Sequence, residues 1–279
     1  MVADAGYHPA PWWSPRSAGL AYQWLSSAPM PLLSARDLTV TFGGVHAVRE
    51  VDIELEAGEF VGLIGPNGAG KTTLIDALTG FVSPSAGTVE LRGENITALP
   101  PATRARRGLV RTFQSLELFE DLSVADNLRV CAETPRWWDP LRDAVAPRRG
   151  RDVGEQVTWA LDVLGLNDVR SQRPRELSHG RRKLVAVARA LALRPALVLL
   201  DEPAAGLDTR ETARLGEHLR TLPDHGISVL LVDHDMGLVL NTCDRVVVLD
   251  VGAVLASGPP AQIRVDPKVI EAYLGVAQS

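Results

Sequence analysis

The sequence predicts an α/β fold with a mainly parallel sheet, an antiparallel β subdomain and an inserted helical subdomain. The near-continuous apolar runs at 196–200 and 227–232 are typical of strands that are buried on both faces, as in a parallel sheet. Shorter runs at 245–249 and 253–256 are expected to close this sheet. Alternating apolar and polar residues early in the chain indicate the antiparallel layer, and a helical pattern that begins near Val124 indicates the inserted helices.

The antiparallel layer is expected before residue 93. Residues 38–42 and 51–55 alternate as half-buried strands do, and the pair Gly43-Gly44 suits the turn between them. A third short strand is expected at 88–92. These strands are expected to lie beside the main sheet.

Helical pattern dominates the middle of the chain, from about 124 to 164 and again from 181 to 193. A stretch rich in proline and arginine at 135–151 is expected to form a loop or an irregular insertion. The inserted helical subdomain is placed at about 116–178.

The first thirty residues differ in composition from the rest of the chain. They are rich in proline and tryptophan and lack the cationic and apolar regions of a secretory signal. We expect a poorly ordered tail over 1–30 and the folded domain over 31–279, and Met30 would also make a plausible start. The tryptophans leave one alternative, a segment that packs on a partner or on the domain itself.

Bulk composition narrows the function classes. The chain has 279 residues and a net charge of −5, so no general electrostatic attraction to nucleic acid is expected. Its two cysteines, Cys131 and Cys243, lack metal-ligand spacing, and both are expected to be buried thiols in a reducing compartment. No apolar run approaches the ~20 residues that a membrane-spanning helix needs.

Residues 65–72 carry the strongest functional signal. They read Gly-Pro-Asn-Gly-Ala-Gly-Lys-Thr, the eight-residue pattern of a phosphate-binding loop, between the apolar run 60–64 and a helix-like stretch at 73–79. Strand, glycine loop and helix N-terminus together make an anion cradle, and a chance glycine turn is the alternative. A P-loop NTPase core that binds a nucleoside triphosphate and Mg²⁺ is therefore expected. The loop residues expected to contact the nucleotide are Gly65, Pro66, Asn67, Gly68, Ala69, Gly70, Lys71, Thr72 and Thr73, with the Thr72 hydroxyl also placed to ligate Mg²⁺.

Two acids follow the apolar run at 197–200. Asp201 is expected to help hold Mg²⁺, and Glu202 to orient and deprotonate an attacking water. An ordinary acidic turn before Pro203 is the alternative, and the phosphate loop upstream argues against it.

Three further features are weak alone. Gln114 and His234 would otherwise pass as structural hydrogen-bonding residues. The stretch 177–181, Leu-Ser-His-Gly-Arg, opens a helix at which Ser178 suits the N-cap. The Ser178 hydroxyl, the Gly180 amide and the positive helix end would also suit a second anion site.

The order of these motifs resembles that of the ATP-binding subunit of an ABC transporter, over residues 32 to about 275. The resemblance implies that Gln114 senses Mg²⁺ and the transporter partner, that Glu202 is the catalytic base and that His234 contacts the γ-phosphate. It further implies contacts to ATP held by a second subunit from Ser178 and Gly180, a position for Asp208 in the loop that crosses the dimer interface, and an adenine stack near Phe42.

Two positions depart from the family pattern. Arg181 replaces the usual glutamine of the signature, and we expect its side chain to face solvent rather than the anion site. Asp233 precedes His234 where many members have glutamate, which we interpret as a minor change.

The stretches 110–114, 201–207 and 267–275 resemble the branched-chain amino acid uptake group. The implied function is an ATPase subunit of an importer, at the cytoplasmic face of the membrane. The implied partners are transmembrane permease subunits, a second ATP-binding subunit and, indirectly, a substrate-binding protein. Phe119 is expected to anchor the permease contact, with a role in the core of the helical subdomain as the alternative.

Other functions remain open at this point. Urea or amide uptake subunits and lipopolysaccharide-export ATPases share parts of the signature or the C-terminal end. An ABC ATPase acting on nucleic acid finds support only in basic clusters such as 104–107 and 148–151. A soluble small-molecule kinase would share the phosphate loop but not the stretch 177–181 or His234.

Overall fold

Two β-sheets organise the part of the chain that the computed structural model describes, residues 30–113, 117–133 and 153–275. Their strands are β1 (Leu33–Phe42), β2 (Val45–Leu55), β3 (Phe60–Ile64), β4 (Ala86–Leu91), β5 (Glu94–Asn95), β6 (Leu109–Arg111), β7 (Leu197–Asp201), β8 (Ser228–Val232), β9 (Arg245–Asp250) and β10 (Ala253–Gly258). The larger sheet has the order β10-β9-β3-β8-β7-β6, parallel from β9 to β6 with β10 antiparallel at one edge. The smaller sheet is antiparallel, in the order β2-β1-β4-β5. The predicted α/β class, with its mainly parallel sheet and antiparallel subdomain, is confirmed.

Most of the described helices come between strands of the larger sheet in sequence, and the last two follow β10. They are α1 (Lys71–Thr79), α2 (Pro101–Arg106), α3 (Val124–Ala132), α4 (Val153–Val163), α5 (His179–Leu191), α6 (Thr209–Arg220), α7 (Met236–Thr242), α8 (Pro260–Ile263) and α9 (Pro267–Gly275). Helices α3, α4 and α5 contact one another, and α3 and α4 fall within the predicted helical subdomain. The predicted insertion at 135–151 and the predicted tail, apart from Met30, lie outside the described residues. The domain boundaries therefore stay predictions.

The parallel sheet is buried on both faces. Alternate residues of β7 contribute to different cores, since Leu197 and Leu199 belong to the cluster shared with the antiparallel sheet and α1, whereas Val198 and Leu200 belong to the cluster under the helices. The same division holds along β8. This two-sided burial explains why both strands read as continuous apolar runs. It also leaves the carboxyl ends of the strands as the place where polar groups collect.

Two strands extend beyond their predicted ends. β1 begins at Leu33 rather than residue 38, and β2 begins at Val45 rather than residue 51. Register shifts interrupt their pairing, and Asp37 and Glu50 adopt positive φ angles of 51° and 45°. A bulge of this kind breaks the period-2 pattern, so the alternation that identifies a strand is lost around it.

The cysteines differ in burial. Cys243 is buried as predicted, but Cys131 is only partly buried, and both are free thiols. Burial raises the pKa of the Cys243 thiol well above its usual range. Across the described ranges, no helix combines the length and the apolar character that crossing a bilayer requires.

Candidate functional site

The phosphate-binding loop connects the end of β3 to the start of α1. Its glycines adopt positive φ angles of 154° at Gly65, 81° at Gly68 and 97° at Gly70. A Cβ atom at Gly70 would lie 2.3 Å from the carbonyl oxygen of Ala47, and one at Gly65 would lie 2.1 Å from that of Leu249. The adjoining strands thus leave room only for glycine at these two positions, and the loop keeps the tight curvature of a phosphate cradle.

Lys71 opens α1 and reaches back across the loop. Its ammonium donates hydrogen bonds to the carbonyl oxygens of Gly65 (2.7 Å) and Pro66 (2.9 Å). Burial lowers the pKa of Lys71, and the carboxylate of Glu202 opposes this shift. The loop therefore presents a partly desolvated cation, which strengthens its attraction for a phosphate group.

The N-terminus of α1 fits the phosphates of a nucleotide. Gly70 at the N-cap provides no side-chain acceptor, and the first turn carries no acidic residue. The first N–H groups of a helix have no partner inside the helix, and the helix dipole favours an anion there. The loop and helix together offer the donors that a triphosphate needs.

Two side chains of the described residues could provide oxygen ligands for Mg²⁺. Within the described ranges, no group of three or more His, Cys, Asp or Glu side chains is arranged to hold a metal ion. Thr72 is exposed in the first turn of α1, and Asp201 is half-buried at the end of β7. Mg²⁺ in nucleotide sites usually takes one or two protein oxygens beside phosphates and water, so this pair fits the ion.

Glu202 stands at the carboxyl end of β7 in a strained conformation. Its φ is 46°, a left-handed value that is uncommon for a residue with a side chain. Its amide donates a hydrogen bond of 2.7 Å to the carbonyl oxygen of Val232 on the neighbouring strand. His234 follows that strand, with its Nδ1 3.9 Å from Glu202 Oε2. The structure thus brings together two proposed site residues that are 32 positions apart in sequence.

Asp233 is more important to this site than its sequence suggests. Its side chain is buried, and its two oxygens accept hydrogen bonds from the amides of Ala204 (3.1 Å) and Asp235 (2.9 Å). One carboxylate therefore ties the loop after Glu202 to the loop around His234. The interpretation of Asp233 as a minor change is therefore incomplete. The sequence signal that could have revealed its role was its position between an apolar strand and a histidine.

Lys183 is a second group that the sequence does not single out. It is buried on α5, five residues after Ser178. Burial lowers the pKa of Lys183, and the carboxylates of Asp233 and Glu202 oppose this shift. Glu202 therefore interacts electrostatically with two partly desolvated lysines, Lys71 and Lys183.

The signature residues form a second cluster, at the N-termini of α5 and α6. Ser178 caps α5 as predicted and accepts the Arg181 amide at 3.4 Å. Asp208 caps α6 through a reciprocal arrangement with Glu211. The Gly180 amide donates to Glu211 Oε1 at 3.4 Å, so the glycine donor of the second anion site already faces a carboxylate.

The remaining predicted residues have mixed outcomes. Arg181 forms an ion pair with Asp168 at 2.7 Å and is exposed, which agrees with the expected orientation away from the anion site. Phe42 is 53% exposed on the β1–β2 hairpin, whose Ala47 touches the phosphate loop. Gln114 lies outside the described residues.

This geometry can be compared with known proteins. Residues 48–205, more than half of the chain, match the model of the ABC transporter family. The chain belongs to this family. Residues 253–278 also match the model of the branched-chain amino acid ATP-binding cassette transporter. The predicted resemblance, both to the ABC family and to this group, is confirmed.

Curated relatives cover almost the whole domain. The chain is 40% identical to the high-affinity branched-chain amino acid transport ATP-binding protein BraF of Pseudomonas aeruginosa, over 88% of this chain and 99% of that protein. It is 41% identical to LivG of Escherichia coli K12, which has the same description, over the same shares. It is also 39% identical to the lipopolysaccharide export system ATP-binding protein LptB of Acidithiobacillus ferridurans, over 88% of this chain and 97% of that protein.

Solved structures agree with these matches. The ADP conformation of MJ1267, an ATP-binding cassette of an ABC transporter, superposes with a TM-score of 0.77 at 31% identity, over 88% of this chain and 99% of that chain. The cbiO1 protein from Clostridium perfringens, part of the ABC transporter complex cbiONQ, gives a TM-score of 0.73 at 26% identity, over 89% and 96% of the two chains. The chain is therefore a nucleotide-binding cassette of ABC type with the ATPase activity of that family.

Proposed function

We propose that this cassette is the ATP-hydrolysing subunit of an ABC importer for branched-chain or related amino acids. The observation that carries the proposal is the match of residues 253–278 to the branched-chain amino acid model, at the end of a chain that is similar to BraF and LivG over 88% of its length. An ATPase subunit does not touch the cargo, so the cargo follows from this relationship and not from the nucleotide site.

The phosphate loop and the strand ends contribute different contacts to the bound nucleotide. Lys71 and the first amides of α1 bind the β- and γ-phosphates, and Phe42 offers an exposed ring to the adenine. Thr72, Asp201 and Gln114 would hold Mg²⁺. When bound there, the ion would neutralise charge that develops on the phosphate oxygens.

Glu202 is the proposed base for hydrolysis. Its carboxylate accepts a proton from water as the water oxygen forms a bond to the γ-phosphorus. The bond between that phosphorus and the bridging oxygen of ADP breaks, which yields ADP and inorganic phosphate. His234, beside Glu202, contacts the γ-phosphate, and the left-handed backbone at Glu202 is a strained conformation of the kind that clusters at active sites.

The exposed cluster of Ser178, Gly180 and Asp208 is proposed to meet a second ATP-binding subunit. The three residues lie at two adjoining helix N-termini, where positive helix ends attract an anion. In a head-to-tail dimer this cluster would contact the γ-phosphate that the other subunit holds. Each composite site would then use both chains.

The other proposed partners are transmembrane permease subunits, with a substrate-binding protein acting through them. The cassette would work at the cytoplasmic face of the membrane, bound to the permease. Nucleic acid is not a proposed partner, because the net charge is −5. Lipopolysaccharide export is the second candidate, on the 39% identity to LptB. ATP-dependent uptake of leucine or valine by vesicles reconstituted with the cassette and its permease would favour the importer over this candidate.

Exchange of Glu202 for glutamine tests the proposed chemistry. Glu202→Gln keeps the shape of the side chain but cannot take a proton, so nucleotide binding should persist while kcat falls at least ~100-fold. ATP should then hold two subunits together, which size-exclusion chromatography with and without ATP measures. Glu217→Gln, the same exchange on the exposed side of α6, is the matched control. Near-normal hydrolysis by Glu202→Gln would contradict the assignment.

A further inference from the structure

Arg111 joins the two elements that are proposed to hold the nucleotide and the metal ion. It ends β6, and its side chain is only 7% exposed. Its Nη2 lies 2.8 Å from Asp201 Oδ2, and its Nη1 forms an ion pair with Asp76 of α1. One guanidinium therefore links the helix of the phosphate loop to the acid at the end of β7.

Two aromatic rings hold this guanidinium in place. The Cζ atom of Arg111 lies 5.2 Å from the ring centroid of Phe113 and 5.8 Å from that of Phe81. The rings contact each other edge to face, with centroids 5.5 Å apart. Cation–π contact on this scale adds to the ion pairs and restricts the rotamers of the arginine.

The two carboxylates beside Arg111 suit the planar shape of its guanidinium group. Arginine can donate to two carboxylates at once through its planar fork, whereas lysine presents a single point charge. Arg111 contacts Oδ2 of Asp201 and so restricts the rotation of this carboxylate, which would hold the metal ion. The orientation of Asp201 is thus set by a residue that itself needs no contact with nucleotide or metal.

We propose that Arg111 is a positioning residue that orients Asp201 for Mg²⁺. The inference rests on the proposed function, because it takes Asp201 as the metal acid. Groups that orient a metal ligand typically change metal affinity or activity 10- to 100-fold when they are replaced. Arg111 would act in this way through the fork to Asp201 and Asp76, with Phe81 and Phe113 fixing the direction of the fork.

Metal-dependent nucleotide binding tests the proposal without relying on turnover. The probe is a fluorescent non-hydrolysable ATP analogue, titrated with Mg²⁺ and also measured in EDTA. For Arg111→Lys we expect the half-saturating Mg²⁺ concentration to rise about tenfold. The affinity for the analogue in EDTA should stay within about twofold of wild type, because Lys71 and the α1 amides provide the metal-independent contacts to the phosphates. Arg107→Lys, the same exchange in an exposed pair with Glu94, should leave both quantities unchanged.

Each outcome decides the proposal. An unchanged Mg²⁺ requirement, or an equal loss of binding with and without metal, would overturn it and leave Arg111 a general structural residue. If Arg111→Lys fails to fold, Phe113→Leu decides, since it removes a half-exposed ring and leaves both ion pairs. An increase of several-fold in its Mg²⁺ requirement supports the proposal, and no increase refutes it. If the wild type shows no metal dependence at all, the proposed function of Asp201 fails instead.

Discussion

At the scale of single residues, Asp233 shows how a buried carboxylate can position two loops of a proposed active site. Its two oxygens receive backbone amides from two different loops, one after Glu202 and one after His234. Each loop carries one of the proposed catalytic side chains. Because Asp233 is bound to both loops, it helps to fix the distance between Glu202 and His234.

We predict that Asp233→Asn weakens both stability and turnover. Asparagine offers one acceptor oxygen, so one of the two amides would face an NH₂ group and lose its hydrogen bond. An unsatisfied buried amide costs about 1–3 kcal/mol. The free energy of unfolding should fall by that amount, and kcat should fall more than KM rises. Urea denaturation and steady-state ATPase kinetics measure the two effects.

Asp235→Asn is the matched control for this exchange. Asp235 caps α7 by accepting the Leu238 amide at 2.9 Å, and asparagine caps a helix equally well. The same chemical change two residues away should thus be nearly silent. Equal effects of the two exchanges would show that Asp233 has no special role.

The role of a residue can be predicted from the sequence when its partners in space are also close to it in the sequence. The phosphate loop, the acids after β7 and the Ser178 cap all act through spacings of a few residues, and spacing is visible in a sequence. Arg111 meets Asp201 across 90 positions, and Gly180 meets Glu211 across 31. Such pairs depend on how strands and helices pack, and nothing in the local sequence of Arg111 or Glu211 identifies the partner.

At the scale of elements, the N-termini of α5 and α6 form one unit. The Gly180 amide at the start of α5 donates to Glu211 in the first turn of α6, and the His179 ring lies beside Gly206 in the loop before α6. Glu211 also accepts the Asp208 amide at 3.5 Å. A carboxylate of the same chain thus lies at the anion site that the proposed dimer would fill with a phosphate.

We predict that Glu211→Gln favours ATP-driven dimerisation. Glutamine preserves the reciprocal cap of α6 but removes a negative charge that competes with the phosphate. A charge at a helix N-terminus is worth about 0.3–1 kcal/mol, which corresponds to a two- to fivefold lower ATP concentration for half-maximal dimer. Analytical ultracentrifugation in the Glu202→Gln background measures this concentration.

Arg181→Gln provides the comparison on the same two helix starts. The Arg181 side chain pairs with exposed Asp168, so its exchange should leave the ATP requirement within about twofold of the parent, since exposed ion pairs contribute little. A higher ATP requirement in Glu211→Gln would mean that the carboxylate supports the dimer rather than competing with its phosphate.

At the scale of the whole molecule, Arg111 connects the groove beside Phe113 to Asp201, the proposed metal ligand. Arg111, Phe113, Cys131 and Arg189 line a groove of about 220 Å³ between β6 and α5. The Arg189 guanidinium lies 5.4 Å from the ring centroid of Phe119, which is 45% exposed. If the permease docks here, the face that receives the partner also contains Arg111, which forms an ion pair with Asp201.

The two neighbouring apolar side chains of the segment around Phe119 differ in burial. Leu118 is buried in the core under the helices, whereas Phe119 is exposed. Asn127 holds the backbone of Phe119 from both sides, accepting its amide at 2.9 Å and donating to its carbonyl oxygen at 3.0 Å. Asn127 thus holds the backbone of this segment without using the Phe119 ring, and the exposure of the ring favours the proposed partner contact over the core role.

We predict that Phe119→Ala weakens binding to the permease and leaves the fold of the cassette intact. Aromatic anchors often contribute about 2 kcal/mol or more to an interface, so capture by detergent-solubilised permease subunits should weaken about 30-fold. Basal ATPase activity of the free cassette should stay at the wild-type rate. Leu118→Ala makes the opposite prediction, because removal of a buried leucine side chain costs about 2–5 kcal/mol of folding free energy. Thermal unfolding and pull-down of the two variants side by side distinguish the roles. If Phe119→Ala unfolds at a markedly lower temperature and still binds the permease, the ring belongs to the core and the docking face lies elsewhere.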